Sequence, residues 1–277
     1  MKNQSNRIKK IVLLFLLTFS VSLTFAQEKE TSTSDLEKQI QNPVASIVSI
    51  PFQFNWDQYS GTNHATLNVQ PVLPFSLGKG GNIISRTIIP TTTMPNPNTP
   101  DWSGGKMKGI GNIVQAFFWT PAKAGKFIWA VGPTFNFPTV TANMGTEKFA
   151  IAPAIFALYQ NNGWSFGGIF ENFWGVAGNS AAPDFNLFYT QVFITKSFKS
   201  KWYINTAPII TANWEAEKSK RWTVPLGLGI GKLSMVNKLP VNWKVSWYGY
   251  VEHPAGAHSQ VQFQMTFILP TLYKGTK

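Results

Sequence analysis

The chain has 277 residues, no cysteine, and 24 lysines and arginines against 12 aspartates and glutamates. Charged side chains make up 13% of the residues, about half of the ~25% that is usual in soluble domains. Aromatic residues make up 14%. The mean hydropathy of −0.05 excludes a bundle of membrane helices, and the apolar content of 44% excludes a disordered chain.

The N-terminal segment has the three parts of a secretory signal peptide. Four basic residues precede an uncharged apolar run over residues 11–25, and the small residue Ala26 follows it. We predict a signal peptide over residues 1–26 that is cleaved on export. The alternative is an uncleaved anchor helix, but the run is short of the ~20 residues that a membrane helix needs. Cleavage lowers the formal net charge from +12 to +8, because it removes the four basic residues.

Residues 27–43 are mostly polar, and we predict a periplasmic leader there. From residue 44 to residue 277, apolar and polar residues alternate, as in β-strands with one apolar and one polar face. The alternation is regular around residues 44–57, 65–73, 127–137, 222–230, 241–248 and 260–269, and weaker around residues 82–90, 109–119, 148–159, 164–174, 185–196 and 202–214.

These twelve segments fit the arithmetic of a membrane barrel. A spanning strand takes ~9–11 residues, which leaves room for turns, and the expected connections are alternately longer and shorter. We predict an all-β fold, a transmembrane antiparallel up-and-down β-barrel of about 12 strands, with both termini on the periplasmic side. Ten or fourteen strands are also compatible with the pattern.

A soluble β-sandwich would show the same alternation, but it would carry charge on its polar face. Here that face is mostly Asn, Gln, Thr, Ser and Gly. Tryptophans on the apolar face suit the aromatic girdles of a membrane barrel; they are Trp56, Trp129, Trp164, Trp174, Trp202, Trp214, Trp222, Trp243 and Trp247. The membrane barrel is therefore favoured.

Five prolines conflict with long unbroken strands, because proline removes a hydrogen-bond donor from the ladder. They are Pro71, Pro133, Pro153, Pro208 and Pro225. We expect them to mark bulges or the ends of shorter strands.

Polar and charged residues on the face opposite the tryptophans should point into the barrel. The candidate lumen-lining residues are Asn68, Gln70, Arg86, Gln115, Asn136, Lys148, Glu171, Arg221, Lys244, Glu252, Gln262 and Gln264. Ionisable residues inside a membrane span usually line a water-filled path or pair with one another. A selectivity lining with a cationic bias and a set of structural salt bridges both fit this set. A register shift of one residue would invert the assignment.

The chain offers little for catalysis or metal binding. Its three histidines are His64, His253 and His258, and it has neither a cysteine nor an HxxxH helix to complete a metal site. Only His258 and Ser259 are adjacent in sequence as a histidine–serine pair, although a triad is defined by geometry. We predict no catalytic residues, no metal and no cofactor.

The basic residues are scattered, so we expect no nucleic-acid partner. Outer-membrane lipid and lipopolysaccharide are the expected neighbours. The longest connection, residues 91–108, contains three prolines and exceeds the ~12–15 residues beyond which loops are often functional. It could constrict the barrel mouth or form a surface flap.

Several segments of the chain resemble one family of bacterial outer-membrane barrels. They are residues 41–45 (QNPVA), 50–53 (IPFQ), 68–75 (NVQPVLPF), 85–90 (SRTIIP), 109–112 (GIGN), 129–133 (WAVGP), 214–217 (WEAE), 221–227 (RWTVPLG) and 262–267 (QFQMTF). The family is grouped with the MetA-pathway-of-phenol-degradation, transporter-like proteins, many of which are mislabelled "neuromedin U". The resemblance covers nearly all of residues 41–270.

The resemblance implies an outer-membrane barrel with a transport role, and it brings no catalytic or binding residues. The chain departs from the family pattern at its end, where residues 271–277 follow Pro270. An aromatic residue usually ends the last barrel strand, so Phe267 or Tyr273 must serve.

We therefore predict a monomeric channel or transporter in the outer membrane of a Gram-negative bacterium, passing small solutes through a narrow polar lumen. Two alternatives remain: an outer-membrane hydrolase that acts on lipid, and a structural or surface-binding barrel without conduction.

Overall fold

The computed structural model describes residue 36 and residues 39–96, 105–123, 125–141, 144–237 and 239–269. The alternating segments are strands: β1 (Val48–Tyr59), β2 (Thr62–Val69), β3 (Val72–Ser76), β4 (Asn82–Pro95), β5 (Lys106–Ile110), β6 (Ile113–Thr120), β7 (Phe127–Phe137), β8 (Lys148–Asn161), β9 (Trp164–Gly178), β10 (Asn186–Ser197), β11 (Trp202–Thr206), β12 (Ile209–Asn213), β13 (Trp222–Val236), β14 (Leu239–Glu252) and β15 (Ser259–Leu269). Short 3-10 turns occupy Gly78–Gly80 and Lys218–Lys220. Within the described ranges, no helix has the length and apolar character to cross a membrane.

Fifteen segments make twelve barrel strands, because three strands consist of two segments each. These are β2 with β3, β5 with β6, and β11 with β12. Each strand pairs antiparallel with the next, and β15 returns to pair with β1 from Leu269–Val48 to Ser259–Gln58. The sheet is therefore closed, and the prediction of a twelve-stranded antiparallel β-barrel is confirmed.

The five prolines singled out in the sequence fall where the ladder is interrupted. Pro71 and Pro208 lie in the breaks between β2 and β3 and between β11 and β12. Pro133 and Pro153 face each other across β7 and β8, and in the described sheet neither is paired with the strand on its other side. Pro225 adjoins a register shift in β13. At each of these five positions, proline therefore lacks its N–H where the ladder is already unpaired or shifted in register, as expected.

The two ends of the barrel differ in their connections. The chain passes from β3 to β4, β6 to β7, β8 to β9, β10 to β11 and β13 to β14 at the short-turn end, and it makes its other six passages between barrel strands at the long-loop end. β1 begins and β15 ends at the short-turn end. In outer-membrane barrels the short turns are periplasmic.

The loop expected over residues 91–108 is shorter than the sequence suggested. β4 continues to Pro95 and β5 begins at Lys106, and five residue pairs join them from Thr91–Ile110 to Pro95–Lys106. The base of this connection is therefore a β-ribbon that extends the barrel wall. Residues 97–104 lie outside the described residues.

The outer face of the barrel is apolar and carries two bands of tryptophan. Trp56, Trp174, Trp214, Trp222 and Trp247 are exposed towards the long-loop end, and Trp129, Trp164 and Trp202 are exposed towards the short-turn end. Aromatic bands above and below an apolar belt are the usual exterior of a barrel in lipid.

The interior is packed on one side and polar on the other. Inward side chains of β3, β4 and β6–β9 form an apolar core with Val44; its members are Val72, Ile84, Ala116, Phe118, Ile128, Ala130, Ala154, Phe156, Leu158 and Ile169. The opposite wall, from β1 through β15 and β14, carries buried polar residues such as Gln53, Gln262 and Asn242. Open space remains on both sides: one cavity borders the polar wall, and a second, mostly apolar one lies beside β4, β6, β7, β9 and β10.

The two chain ends fall largely outside the described residues. The predicted signal peptide, residues 1–26, and the C-terminal residues 270–277 are not described. Of the predicted leader, residue 36 and residues 39–43 are described, and they belong to the compact unit of the barrel, Ser32–Lys277.

Candidate transport lumen

The described residues that precede β1, residues 36 and 39–47, lie inside the barrel at the short-turn end; we call them the N-terminal segment. Leu36, Ala45 and Ile47 form a buried cluster with Leu233 of β13 and Ile268 of β15. Burying a leucine or isoleucine side chain contributes about 1.5–3 kcal/mol. The segment therefore occupies part of the barrel interior as a plug held by apolar contacts.

A cavity of about 160 Å³ separates the N-terminal segment from the polar wall. Residues 39–43 line one side of it, and Arg86 and Lys244 line others. Among the described residues, no aspartate or glutamate contributes to this lining. The cavity has room for on the order of ten water molecules. We call it the lower cavity.

A row of polar side chains runs along the wall of the lower cavity. Arg86 Nη2 donates a hydrogen bond to Gln70 Oε1 at 2.7 Å, and Gln70 Nε2 donates to Gln53 Oε1 at 3.3 Å. Strand pairing places Gln53 beside Gln264, and Gln264 beside Lys244. We call these five residues the polar arc. A cation stands at each end of it, with amides between.

The charges of the polar arc are not neutralised by ion pairs. The ion pairs of the described residues are Lys148–Asp184, at 3.9 Å, and Lys220–Glu217, at 3.3 Å, and both are at the long-loop end. Arg86 is bound to the neutral Gln70. The interpretation of the lumen charges as structural salt bridges is therefore not supported by the described ion pairs.

A second cavity, of about 130 Å³, is mostly apolar; we call it the upper cavity. Its lining includes Ile88, Val114, Phe173, Phe185, Leu187 and Tyr189. Arg86 lines both cavities, and Glu171 lines the upper one, where its Oε1 accepts a hydrogen bond from Thr134 Oγ1 at 2.7 Å. Arg86 thus stands between a polar and an apolar compartment.

Eight of the twelve candidate lumen residues lie on the inward face. Gln70, Arg86, Lys244 and Gln264 line the lower cavity, and Asn136 and Glu171 line the upper one. Asn68 is paired with the inward Gln53, and Gln262 donates to Asn55 Oδ1 at 3.1 Å. The inward set therefore comes from both sides of the barrel, since Arg86, Asn136 and Glu171 belong to β4, β7 and β9, which also carry the apolar core.

Three of the remaining candidates lie at the long-loop rim. Lys148 pairs with Asp184 there. Arg221 Nη2 donates to the carbonyl oxygens of Trp214 and Ala216, at 3.4 and 3.3 Å, and so fixes its own loop. Glu252 is exposed at the end of β14. The assignment of Arg221 and Glu252 to the lumen was wrong, because both lie where the strands leave the barrel.

Gln115 points away from the lumen, contrary to the sequence assignment. Its neighbours Ala116 and Phe118 are buried inside, so Gln115 is on the outer face of β6. Its Nε2 donates to Ser85 Oγ at 3.0 Å, and its Oε1 accepts from Thr87 Oγ1 at 2.6 Å. These bonds satisfy the amide on a face that is otherwise apolar.

Sequence reasoning missed the polar residues that complete the lower cavity. Gln39 and Asn42 come from the N-terminal segment, and Asn205 and Asn242 from β11 and β14. Asn242 has the same parity as Lys244, so its position could have been found. Leu36 and Ile40, two apolar residues within the polar leader, were the available signal that this segment packs against something.

All three histidines lie together at the long-loop end. Tyr59 packs against His64 and His253, with ring centroids 4.3 and 5.8 Å apart. His258 Nε2 lies 2.8 Å from Ser60 Oγ. His253 Nδ1 accepts a hydrogen bond from the N–H of Ala257 at 3.2 Å. The cluster ties the loop of residues 253–258 to the first hairpin.

Burial lowers the pKa of His253, although the nearby carboxylate of Asp57 acts in the opposite direction. A neutral ring suits its role as an acceptor from Ala257. In the part of the chain that the structure covers, no three His, Asp or Glu side chains come together as a metal site.

Comparison with solved structures places this fold among outer-membrane barrels. The chain is similar to the COG4313 outer-membrane channel from Pseudomonas putida F1, with a TM-score of 0.63 and 9% identity over 87% of this chain and 100% of that one. It is also similar to the NanC porin, with a TM-score of 0.48 and 8% identity over 79% and 98% of the chains. For the CymD monoaromatic hydrocarbon channel the TM-score is 0.46, with 7% identity over 81% and 88%. At such identities the likeness to the COG4313 channel establishes the fold.

No protein-family model and no curated protein matches the sequence. The class that the fold defines is a closed twelve-stranded antiparallel β-barrel of the outer-membrane type.

Proposed function

We propose that this protein is an outer-membrane channel that passes small solutes through a narrow polar lumen. The observation that carries the proposal is the lower cavity, which is enclosed by a closed barrel and lined by the polar arc. Closure satisfies the backbone hydrogen bonds that lipid cannot satisfy. Eight-stranded barrels are filled by side chains and barrels of 16–18 strands hold an open channel, so twelve strands with an apolar core on one side suit a narrow path.

The same proposal includes export and location. A signal peptide over residues 1–26 would direct the chain out of the cytoplasm, and the apolar outer face with its two tryptophan bands suits the outer membrane. The neighbours would be outer-membrane lipid and lipopolysaccharide, and the barrel would work as a monomer without enzymatic activity. We also propose that the chain is a member of the transporter-like family that its sequence resembles.

Conductance in a planar bilayer tests the channel directly. We expect discrete current steps from the purified folded protein. We also expect liposomes that contain the protein to swell when they are diluted into a solution of a small neutral solute. The folded state is checked first by the change in gel migration on heating, which folded barrels show. If folded protein gives neither current nor swelling, the channel proposal is contradicted, and a barrel with a structural or surface-binding role remains.

The contact between Ser60 and His258 favours a second candidate, a hydrolase acting on lipid. A serine hydroxyl 2.8 Å from a histidine nitrogen is the first half of a triad. In the described residues no carboxylate is hydrogen-bonded to the other ring nitrogen of His258. Release of fatty acid from phospholipid vesicles, abolished by both S60A and H258A, would establish this activity; release that survives in both variants would exclude this pair as its source.

A further inference from the structure

We infer that the lower cavity binds a small hydroxycarboxylate, an organic anion that carries hydroxyl groups beside its charge. The inference deepens the proposed function, since this anion would be the transported solute. The site can nevertheless be tested on its own, because binding can be measured without current.

The first argument is the charge of the cavity. Arg86 and Lys244 both line it, and no described Asp or Glu does. Lys244 has no hydrogen bond or ion pair with any described residue, and Arg86 is bound to the neutral Gln70. Glu171 lines the upper cavity together with Arg86, where the two charges interact, and it accepts a hydrogen bond from Thr134. Among the described residues Lys244 has no such counter-charge, and a cation left without one in this cavity favours a bound anion.

The second argument is the set of acceptors that the fold leaves unsatisfied. Asn205 Oδ1 and Asn242 Oδ1 are buried, line the same cavity, and accept no hydrogen bond from any residue that the structure describes. The orientation of Asn205 is set by its Nδ2, which donates to the carbonyl oxygen of Thr206 at 3.3 Å and contacts Thr195 Oγ1 at 3.0 Å. Buried polar atoms are normally hydrogen-bonded, so we expect a bound ligand to donate hydrogen bonds to these two oxygens. A hydroxyl group supplies one, whereas a carboxylate cannot.

The third argument is the geometry of enclosure. Residues 39–43 of the N-terminal segment form one wall of the cavity, opposite the polar arc. A ligand there would touch cations and amides at once and be shielded from bulk water. A volume of about 160 Å³ suits a solute of a few carbon atoms rather than an oligosaccharide or a protein segment.

Three six-carbon probes separate the two parts of the inference. Gluconate carries a carboxylate and hydroxyl groups, sorbitol carries hydroxyl groups alone, and hexanoate carries a carboxylate alone. Calorimetric titration of folded protein in a chloride-free buffer measures each affinity, and chloride is titrated separately as a simple inorganic anion. We expect gluconate to bind at least tenfold more tightly than the other three, a difference of about 1.4 kcal/mol.

Substitutions assign the binding to this cavity. K244Q should weaken gluconate binding about tenfold or more, and N242L should weaken it severalfold while the cation remains. The matched control is K196Q, which also removes one positive charge; Lys196 Nζ lies 4.9 Å from the ring centre of Trp164, on the outer face. Each variant is checked for folding by its heat-dependent gel migration.

The outcomes distinguish the site from the channel. Sorbitol, hexanoate or chloride binding as tightly as gluconate would overturn the inference, as would K244Q and N242L both behaving like K196Q. Gluconate binding without conductance would support the binding site and contradict the channel proposal. Conductance without gluconate binding would support the channel proposal and contradict the binding site.

Discussion

Ile155 and Phe156 are neighbours in β8 that point to opposite faces of the barrel. The Ile155 side chain is 58% exposed on the outer face, whereas Phe156 is 1% exposed within the apolar core. Phe156 lies with Phe118 and Leu158 in the part of the interior that side chains fill. The stability of this barrel therefore depends on inward packing as well as on the closed ladder.

Replacing Phe156 by alanine should lower the free energy of unfolding by ~3–5 kcal/mol, because it opens a hole in the apolar core. Replacing Ile155 by alanine should lower the free energy of unfolding less, by about 1–2 kcal/mol, because its side chain lies against lipid and its removal leaves no hole in a packed core. Urea titration of the protein folded into lipid vesicles, followed by tryptophan fluorescence, measures both values. Equal losses in the two variants would contradict this assignment of faces.

For single residues, the sequence assigned some side chains correctly to the inward face and assigned others wrongly. Lys244 and Gln264 lie in strands whose alternation is regular, so parity alone assigns them inward. Gln115 lies on the outer face, where it is satisfied by the hydroxyls of Ser85 and Thr87. Such a cluster depends on pairing between strands, and a single strand's pattern does not contain it.

For several strands, the clarity of the alternation follows what the strand faces; β7 is an exception, since it alternates clearly although Ile128 and Ala130 belong to the apolar core. β1, β14 and β15 separate lipid from a polar wall, so their two faces differ and the sequence alternates clearly. β4, β6 and β8 separate lipid from the apolar core, with Ile84, Phe118 and Phe156 pointing inward. Both of their faces are apolar, which weakens the period-two pattern. The strand number was therefore predictable, but the packed half of the interior was not.

The N-terminal segment is the element whose removal should change conduction most. Deleting residues 27–43 takes away Leu36 and residues 39–43, which close the lower cavity. We expect a larger single-channel conductance in planar bilayers, because the interior at the short-turn end is then less obstructed.

A shorter deletion, residues 27–35, is the matched control for this experiment. It leaves Leu36 and residues 39–47 to pack against Leu233 and Ile268, so the conductance should stay that of the full chain. If the longer deletion also conducts like the full chain, the segment does not restrict the path.

For the whole molecule, the two tryptophan bands predict how the barrel sits in a bilayer. Trp56 and Trp222 belong to the band near the long loops, and Trp129 and Trp202 to the band near the short turns. Aromatic side chains in such bands favour the interface between headgroups and acyl chains. The apolar belt between the bands would then match the hydrocarbon core.

Depth-dependent quenching tests this placement. Lipids brominated close to the headgroup should quench the tryptophan fluorescence of the reconstituted barrel more strongly than lipids brominated near the chain end. The W129F/W202F double variant should lose part of that difference and keep the same gel migration. Stronger quenching from the chain ends would place the bands at the middle of the bilayer and contradict the orientation.

The contact between the N-terminal segment and the last strand also sets an order of assembly. Leu36 and Ile268 belong to one cluster although they lie near opposite ends of the chain. Ile268 takes its place only when β15 has been synthesised and has joined β1 to close the sheet. Contacts of such long range form late, because the intervening chain must first be ordered. The segment that leaves the ribosome early is therefore among the last to reach its final position, and it must avoid other stable contacts until the wall around that position has formed.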